Sequence, residues 1–172
     1  MTTIVQPTSA DELDAVRALM RDFIAWHQVR HAEHIDLVNK YFNGAEFEEE
    51  LAGLPGKYSP PKGQLLLAIN DDMPAGCVAL RQIDSSTCEM KRMFVREGFQ
   101  GLGTGFALAN AIIEEAKKLG YKRMVLDSGA KQIEAHTLYR KVGFTDISPY
   151  YSLPDDLADW LVFMGLDLTQ PA

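Results

Sequence analysis

Cysteine is scarce in this chain, and long apolar runs are missing. The 172 residues include two cysteines, Cys77 and Cys88, too few for a disulfide framework and without the spacing of metal ligands. We expect both thiols to be reduced, as is usual in cytoplasmic proteins. No apolar stretch approaches the roughly 18 residues of a membrane span, and the N-terminus lacks the basic start and apolar segment of a secretory signal. The sequence predicts a cytoplasmic protein that does not use a membrane.

Basic residues are also fewer than acidic residues. Seventeen lysines and arginines stand against 24 aspartates and glutamates, which gives a formal net charge of −7. Proteins that bind the phosphate backbone need a basic face, whereas the basic residues here form nothing longer than pairs such as Lys91–Arg92. Nucleic acid is therefore not an expected partner, and the overall charge favours a cationic small substrate.

The composition indicates one globular domain over residues 1–172. Hydrophobic residues make up 47% of the chain and charged residues 24%, both ordinary values. No internal repeat or low-complexity linker divides the sequence. Residues 53–63, which contain three prolines, are too few for a domain boundary and more simply join two elements.

The first half of the chain predicts a strand, two helices and three further strands. After a strand over residues 2–6, Ser9 and Glu12 have the spacing of a capping box for a helix that reaches about His27. A second helical stretch lies within residues 33–51. A near-continuous apolar run at 64–69 and two further strand-length segments at 73–82 and 87–95, separated by short polar turns, predict an antiparallel meander.

The second half alternates helices and strands. A helix is predicted over 103–119 with Gly120 as its left-handed C-terminal residue, then a strand over 122–127 and a helix over 133–142. The helix predicted over 103–119 has an apolar stripe formed by Leu102, Phe106, Ala109, Ile113 and Ala116. Two strands, at 144–151 and 161–168, complete a mixed α/β domain around one sheet.

The most informative segment is a glycine-rich turn between a strand and a helix. Gly98, Gly101, Gly103 and Gly105 fall within eight residues. Glycine permits close approach of the backbone, and the first amides of a helix have no intrahelical acceptor, so the turn suits a phosphate or pyrophosphate. A plain flexible turn is the alternative interpretation. A P-loop is excluded because no lysine ends the turn, and a dinucleotide-binding fold is disfavoured because only 45 residues follow Asp127.

Two segments resemble motifs of the GNAT superfamily of N-acetyltransferases. Gln100-Gly-Leu-Gly-Thr-Gly105 resembles the family's (Arg/Gln)-x-x-Gly-x-(Gly/Ala) motif, and the strand before it, from Cys88 to Val95, resembles the strand that leads into that motif. Ala135-His-Thr-Leu-Tyr139-Arg-Lys-Val-Gly-Phe144 resembles the family's Ala-x-x-Leu-Tyr-x-x-x-Gly-Phe segment. The resemblance implies a single acyl-CoA N-acyltransferase domain with a mostly antiparallel central sheet flanked by helices.

The resemblance also implies where acetyl-CoA is bound. The pyrophosphate is expected on the main-chain amides of six consecutive residues, Gln100, Gly101, Leu102, Gly103, Thr104 and Gly105. The pantetheine is expected beside the strand residues Met93, Phe94 and Val95, one of whose N–H groups would bind the thioester oxygen. Further contacts are expected from Tyr139 and from Gln132, which stands where the family often has Asn. No metal is implied.

For catalysis, the resemblance points to direct transfer of the acetyl group to a primary amine. Tyr139 matches the family's tyrosine general acid, and Glu89, the only acidic residue in the matching strand, is the leading candidate for the base. Both have structural alternatives: Tyr139 packed on the sheet, and Glu89 exposed or paired with Lys91 or Arg92. Two other functions remain open at this point, a non-catalytic acyl-CoA sensor and a nucleotide-binding protein of another fold.

The acceptor is not specified by the sequence: a small molecule or a peptide amine fits equally, and a homodimer is left open. Tyr150 and Tyr151 lie where relatives often complete the acceptor pocket or a dimer contact. Asp127 and Ser128 follow a strand and are further candidates for the site lining. His27, His31 and His34 share one helical face, but this pattern lacks the motif of a zinc site, and we expect surface or pocket-lining histidines.

Overall fold

The computed structural model of the chain describes residues 1–171, which form one seven-stranded sheet with helices on both faces. The strands are β1 (Thr2–Val5), β2 (Gln64–Asn70), β3 (Met73–Gln82), β4 (Thr87–Val95), β5 (Arg123–Gly129), β6 (Thr145–Asp146) and β7 (Leu161–Asp167). Their order across the sheet is β1-β2-β3-β4-β5-β7-β6. Neighbouring strands are antiparallel except β4 and β5, which are parallel. The predicted fold class and the β2–β3–β4 meander are confirmed.

Six α-helices surround the sheet. They are α1 (Ala10–Arg30), α2 (Ile35–Tyr41), α3 (Gly44–Ala52), α4 (Thr104–Lys118), α5 (Ile133–Lys141) and α6 (Asp155–Trp160). Helices α1 and α3 cover one face of the sheet, α4 and α5 cover the other, and α2 and α6 pack together beside β7. Within residues 1–171, no helix combines the length and the apolarity needed to cross a membrane.

The two-faced core follows from the alternation of side chains along the strands. In β2, Leu66 and Ala68 point to the α4 face, whereas Leu65 and Leu67 point to the α1 face. Consecutive residues of a central strand are therefore buried on opposite faces of the sheet, one under α4 and the next under α1. This is why β2 and β3 are apolar almost throughout.

Local sequence signals place most element ends correctly. The capping box at Ser9 is present, with the Glu12 amide donating to Ser9 Oγ and the Glu12 carboxylate accepting from the Ser9 amide. Gly120 and Gly143 both follow a helix with a positive φ, of 91° and 107°, as left-handed residues there require.

One expectation was incomplete and two were partly wrong. The stretch 33–51 contains a 3-10 turn and two helices, α2 and α3, because Asn43 caps a new helix start with its side chain. The expected strand over 144–151 is paired only at residues 145–146, and α6 follows it. The stripe of α4 is correct at Ala109, Ile113 and Ala116, which are buried. Its first two members are wrong: Leu102 and Phe106 are exposed, whereas Leu108 and Ile112 are buried.

Candidate active site

A cleft opens in the sheet where β4 and β5 part. The two parallel strands are paired at Thr87–Arg123, Cys88–Met124 and Glu89–Val125 and at no later residue. Beyond these pairs, the remaining halves of both strands line a cleft with side chains from α1, α2, α5 and the end of α6. Peptide groups freed at such a strand edge can bind an extended ligand as another strand would.

A β-bulge at Arg92 and Met93 bends β4 at the cleft. Lys91 pairs with Ala79 and Phe94 with Cys77, so two residues of β4 face a single residue of β3. Arg92 has a φ of 57°, which is unusual for a residue with a side chain. Its guanidinium donates to Glu50 at 2.9 and 3.3 Å and lies 5.5 and 5.1 Å from the ring centres of Phe42 and Phe47. The strained backbone is therefore supported by a buried ion pair.

The three β4 residues expected at the pantetheine take different positions. Met93 lines the cleft. The Phe94 side chain is buried on the α1 face, 5.9 Å from the ring of Phe23, and Val95 packs against the core of the α4 face. A ligand in the cleft would meet the Met93 side chain and the main chain of the bulge.

The glycine turn presents unpaired amides at the N-terminus of α4. Gly101 and Gly103 have φ values of 77° and 82°, and the Ala107 amide donates to the Gly103 carbonyl at 3.0 Å as the first helical bond. The amides between Gly103 and Ala107 thus have no intrahelical acceptor, and Gly103, as the N-cap, provides no side chain to satisfy them. A Cβ at Gly101 or Gly103 would meet no atom within 4 Å, so this surface is open. Such a turn is suited to a diphosphate.

Neighbouring residues hold the turn in place. The Gln100 side-chain amide donates to the Val95 carbonyl at 3.0 Å, which ties the turn to the end of β4. Thr104 begins α4 with its side chain buried, and Leu102 is 63% exposed. A Cβ at Gly105 would lie 3.2 Å from Leu138, so a glycine there lets α4 and α5 approach closely.

Tyr139 places its buried ring in the cleft from α5. It packs 5.9 Å from the ring of Phe144. Burial, followed by the nearby charge of Asp127, raises the pKa of Tyr139 above its usual range. The hydroxyl is therefore protonated at neutral pH and can donate a proton in the cleft.

Glu89 is buried beside the cleft and fully engaged with other groups. Its Oε1 accepts from Arg81 Nε at 2.7 Å and lies 3.5 Å from Lys91 Nζ, and its Oε2 accepts from the hydroxyl of Tyr150. Burial alone would raise the pKa of Glu89, but Lys91, Tyr150 and Arg81 together lower it. Glu89 lines a neighbouring cavity that does not include Tyr139. The two residues expected to be catalytic are thus not brought into one cleft.

Asp127 is the carboxylate that lines the cleft together with Tyr139. Its two oxygens accept hydrogen bonds from the hydroxyls of Tyr41 and Tyr151. Each carboxylate oxygen has a second lone pair, so Asp127 can still accept a proton or a further hydrogen bond. Sequence reasoning gave Asp127 only as a secondary candidate, and it missed Tyr41, the last residue of α2, for which no motif exists.

A chain of buried hydrogen bonds fixes the wall of the cleft behind Asp127. Gln132 Oε1 accepts from Ser128 Oγ at 2.5 Å and from the Gly129 amide at 2.8 Å, and its Nε2 lies 2.9 Å from His27 Nε2. His136 Nε2 lies 3.0 Å from Ser128 Oγ. Gln132 lines the cleft, but its side chain is committed to protein groups. These contacts hold the end of β5.

His27, His31 and His34, which have helical spacing in the sequence, do not share one environment in the structure. His27 and His31 are buried with their rings stacked at 5.3 Å, whereas His34 is exposed. In the part of the chain that the structure describes, no group of side chains is arranged to hold a metal ion.

Comparisons with known proteins show the family and the fold of the chain. Residues 18–144 match the model of the acetyltransferase (GNAT) family. An uncharacterised N-acetyltransferase of Schizosaccharomyces pombe is 38% identical over 125 residues, covering 72% of this chain and 75% of that protein. N-acetylaspartate synthetase of Homo sapiens is 33% identical over 121 residues, covering 66% of this chain and 40% of that protein. An N-acetyltransferase of Thermoplasma acidophilum, solved in complex with coenzyme A, has the same fold, with a TM-score of 0.69, 16% identity and coverage of 97% and 99%.

Proposed function

Because the chain belongs to the GNAT family of acetyltransferases, we propose that it binds acetyl-CoA in the cleft between β4 and β5 and transfers the acetyl group to a primary amine. The observation that carries this proposal is the continuity of three features. The glycine turn follows directly from the parted strand β4, and Tyr139 lines the cleft between the parted strands. The Thermoplasma protein of the same fold was solved with coenzyme A, which supports the choice of ligand.

Acetyl-CoA extends from the glycine turn along β4 into the cleft lined by Tyr139. The diphosphate accepts hydrogen bonds from the amides of the turn, where the helix dipole of α4 adds a favourable field. The pantetheine lies along the open edge of β4 beside Met93. An amide of the bulge binds the thioester oxygen, where negative charge develops during the reaction.

The transfer is a direct displacement. The amine nitrogen attacks the thioester carbon, a C–N bond forms, the C–S bond breaks, and coenzyme A leaves as a thiolate. Tyr139 protonates the departing sulfur. Asp127 accepts the proton that the amine loses, because it is the carboxylate in the same cleft. Glu89, the leading candidate from the sequence, instead positions Arg81, Lys91 and Tyr150.

We place the reaction in the cytoplasm and assign a small molecule as the acceptor. Both cysteines are free and buried, which fits a reducing compartment. N-acetylaspartate synthetase, one of the relatives, is named for a small-molecule product, which supports a small-molecule acceptor here.

Two measurements test the proposal. A ligand that binds only the folded state raises the melting temperature, so coenzyme A at saturating concentration should raise it, while ATP and NAD should not. Release of free coenzyme A thiol should then depend on an added amine. Stabilisation without amine-dependent release would indicate a non-catalytic sensor, and equal stabilisation by ATP would indicate a nucleotide-binding protein.

A further inference from the structure

A second cavity adjoins the cleft and is strongly biased toward positive charge. The two share Tyr41, Lys91 and Arg92 in their walls, so a molecule in the second cavity reaches the cleft directly. The second cavity is lined by one carboxylate, Glu89, and by four cations: Lys40, Arg81, Lys91 and Arg92. This local excess is opposite in sign to the net charge of the whole chain.

Two of the four cations are already neutralised. Arg92 donates through Nε and Nη2 to Glu50. Lys40 Nζ lies 3.1 and 2.9 Å from the two carboxylate oxygens of Asp156. Neither side chain is in need of an external anion.

The other two cations share a single carboxylate. Arg81 donates a hydrogen bond to Glu89 through Nε, and its two terminal nitrogens have no hydrogen-bond acceptor among residues 1–171. Lys91 Nζ lies 3.5 Å from the same Glu89 oxygen, too far for a good hydrogen bond, and it makes no other bond to the described residues. The Lys91 side chain is only 16% exposed. The ammonium itself is not fully buried and lines the open second cavity, so an anion entering that cavity would give it the charged hydrogen bond that Glu89 does not.

We propose that the acetyl acceptor is an amine that also carries a carboxylate, and that Lys91 and Arg81 bind this carboxylate. The proposal rests on the acetyl transfer proposed above. Lys91 Nζ lies 5.8 Å from the centre of the Tyr41 ring, and the hydroxyl of the same tyrosine donates to Asp127. The cationic and acidic ends of the site are thus joined through one side chain. An amino acid placed across Tyr41 would direct its ammonium toward Asp127 and its carboxylate toward Lys91.

Matched acceptor pairs provide the test. Coenzyme A release is followed with the standard amino acids and with their carboxamides, which keep the amine and lose the negative charge. For the best amino acid, kcat/KM should exceed that of its carboxamide by on the order of tenfold or more, the value of a charged hydrogen bond. Equal use of both members, or turnover only with amines that lack a carboxylate, would overturn the inference and leave acetyl transfer intact. Absence of release with every amine would instead remove the proposed function.

A substitution then assigns the binding group. Lys91→Met keeps an unbranched side chain one atom shorter and removes the charge, so it should raise KM for the amino acid on the order of tenfold while kcat/KM for the carboxamide changes less than about twofold. Lys91→Arg should recover most of the affinity. Lys118→Met, on the exposed face of α4, serves as the control and should behave as wild type. An equal loss for both members of the pair would show that Lys91 has only a structural role.

Discussion

Tyr139 contributes a ring to the core and a hydroxyl to the cleft, and these roles can be separated. Tyr139→Phe keeps the packing against Phe144 and removes only the proton donor. We expect kcat to fall about 100-fold, in the range of general acid catalysis, with the Kd for coenzyme A nearly unchanged. Tyr121→Phe is the matched control, because it removes a tyrosine hydroxyl that bonds the Lys62 carbonyl. Unchanged turnover in Tyr139→Phe would exclude the proposed role.

The two carboxylates of the site should respond differently to neutralisation. Asp127→Asn removes the proposed proton acceptor, so kcat should fall about 100-fold. Glu89→Gln leaves Arg81 and Lys91 without their shared counter-charge, so the free energy of unfolding should fall by about 2 kcal/mol. Steady-state kinetics and urea unfolding of both variants measure the two effects. The opposite pattern, a catalytic loss in Glu89→Gln and none in Asp127→Asn, would return the base to Glu89.

The sequence identified candidate site residues that lie within a motif and missed those brought together by tertiary contacts. Tyr139 and the glycines of the turn were found because their spacing is local. Tyr41 has no such signal, since its role depends on Asp127, 86 residues away in the chain. The positive φ of Arg92 could not be predicted from the sequence either, because it is supported by an ion pair with Glu50, 42 residues earlier.

At the scale of elements, the turn before α4 can be tested through its backbone alone. Gly103→Ala adds a Cβ with no atom within 4 Å, so any effect arises from the φ of 82°. The left-handed conformation costs a residue with a Cβ roughly 1–2 kcal/mol, so the substitution should lower stability by that amount and displace the amides that we propose bind the diphosphate. We expect the Kd for coenzyme A, measured by calorimetry, to rise about tenfold.

Gly98→Ala is the matched control for this prediction. The position is also open, but its φ lies outside the left-handed region. It should therefore leave coenzyme A affinity nearly unchanged. An unaltered Kd in Gly103→Ala would place the diphosphate elsewhere.

Elements were predictable where periodicity and turn residues agreed. The meander of β2, β3 and β4 has alternating faces and short polar turns, and its strand ends were correct to within one residue. The strand predicted after α5 was too long, because most of its apolar residues make side-chain contacts and do not pair with a neighbouring strand. Backbone bonding to β7 ends with the Ile147 amide, which donates to the Phe163 carbonyl, whereas Tyr150 packs against the cluster of α2, α6 and β7.

At the scale of the whole molecule, buried histidines should make stability depend on pH above the range in which carboxylates titrate. Burial, with smaller contributions from the charges of His31 and Arg92, lowers the pKa of His27 from 6.5 to about 3. Burial likewise lowers the pKa values of His31 and His136. Above pH 6.5 these groups are neutral in both states. Below it, the unfolded chain binds protons that the folded chain does not, so stability is lost as the pH falls.

This linkage predicts that the free energy of unfolding falls with falling pH, and that one substitution makes this fall less steep. Between pH 6.5 and 5, His27 alone should contribute up to about 1.4 kcal/mol per pH unit to the loss of unfolding free energy. His27→Gln should be less stable than wild type at pH 7, because it loses ring packing against Phe23, but its stability should fall less steeply over the same range. The exposed His34 provides the control, and His34→Gln should retain the wild-type slope. Parallel plots of unfolding free energy against pH for wild type and His27→Gln would mean that His27 takes up a proton in the folded protein, within the buried hydrogen-bond chain behind Asp127.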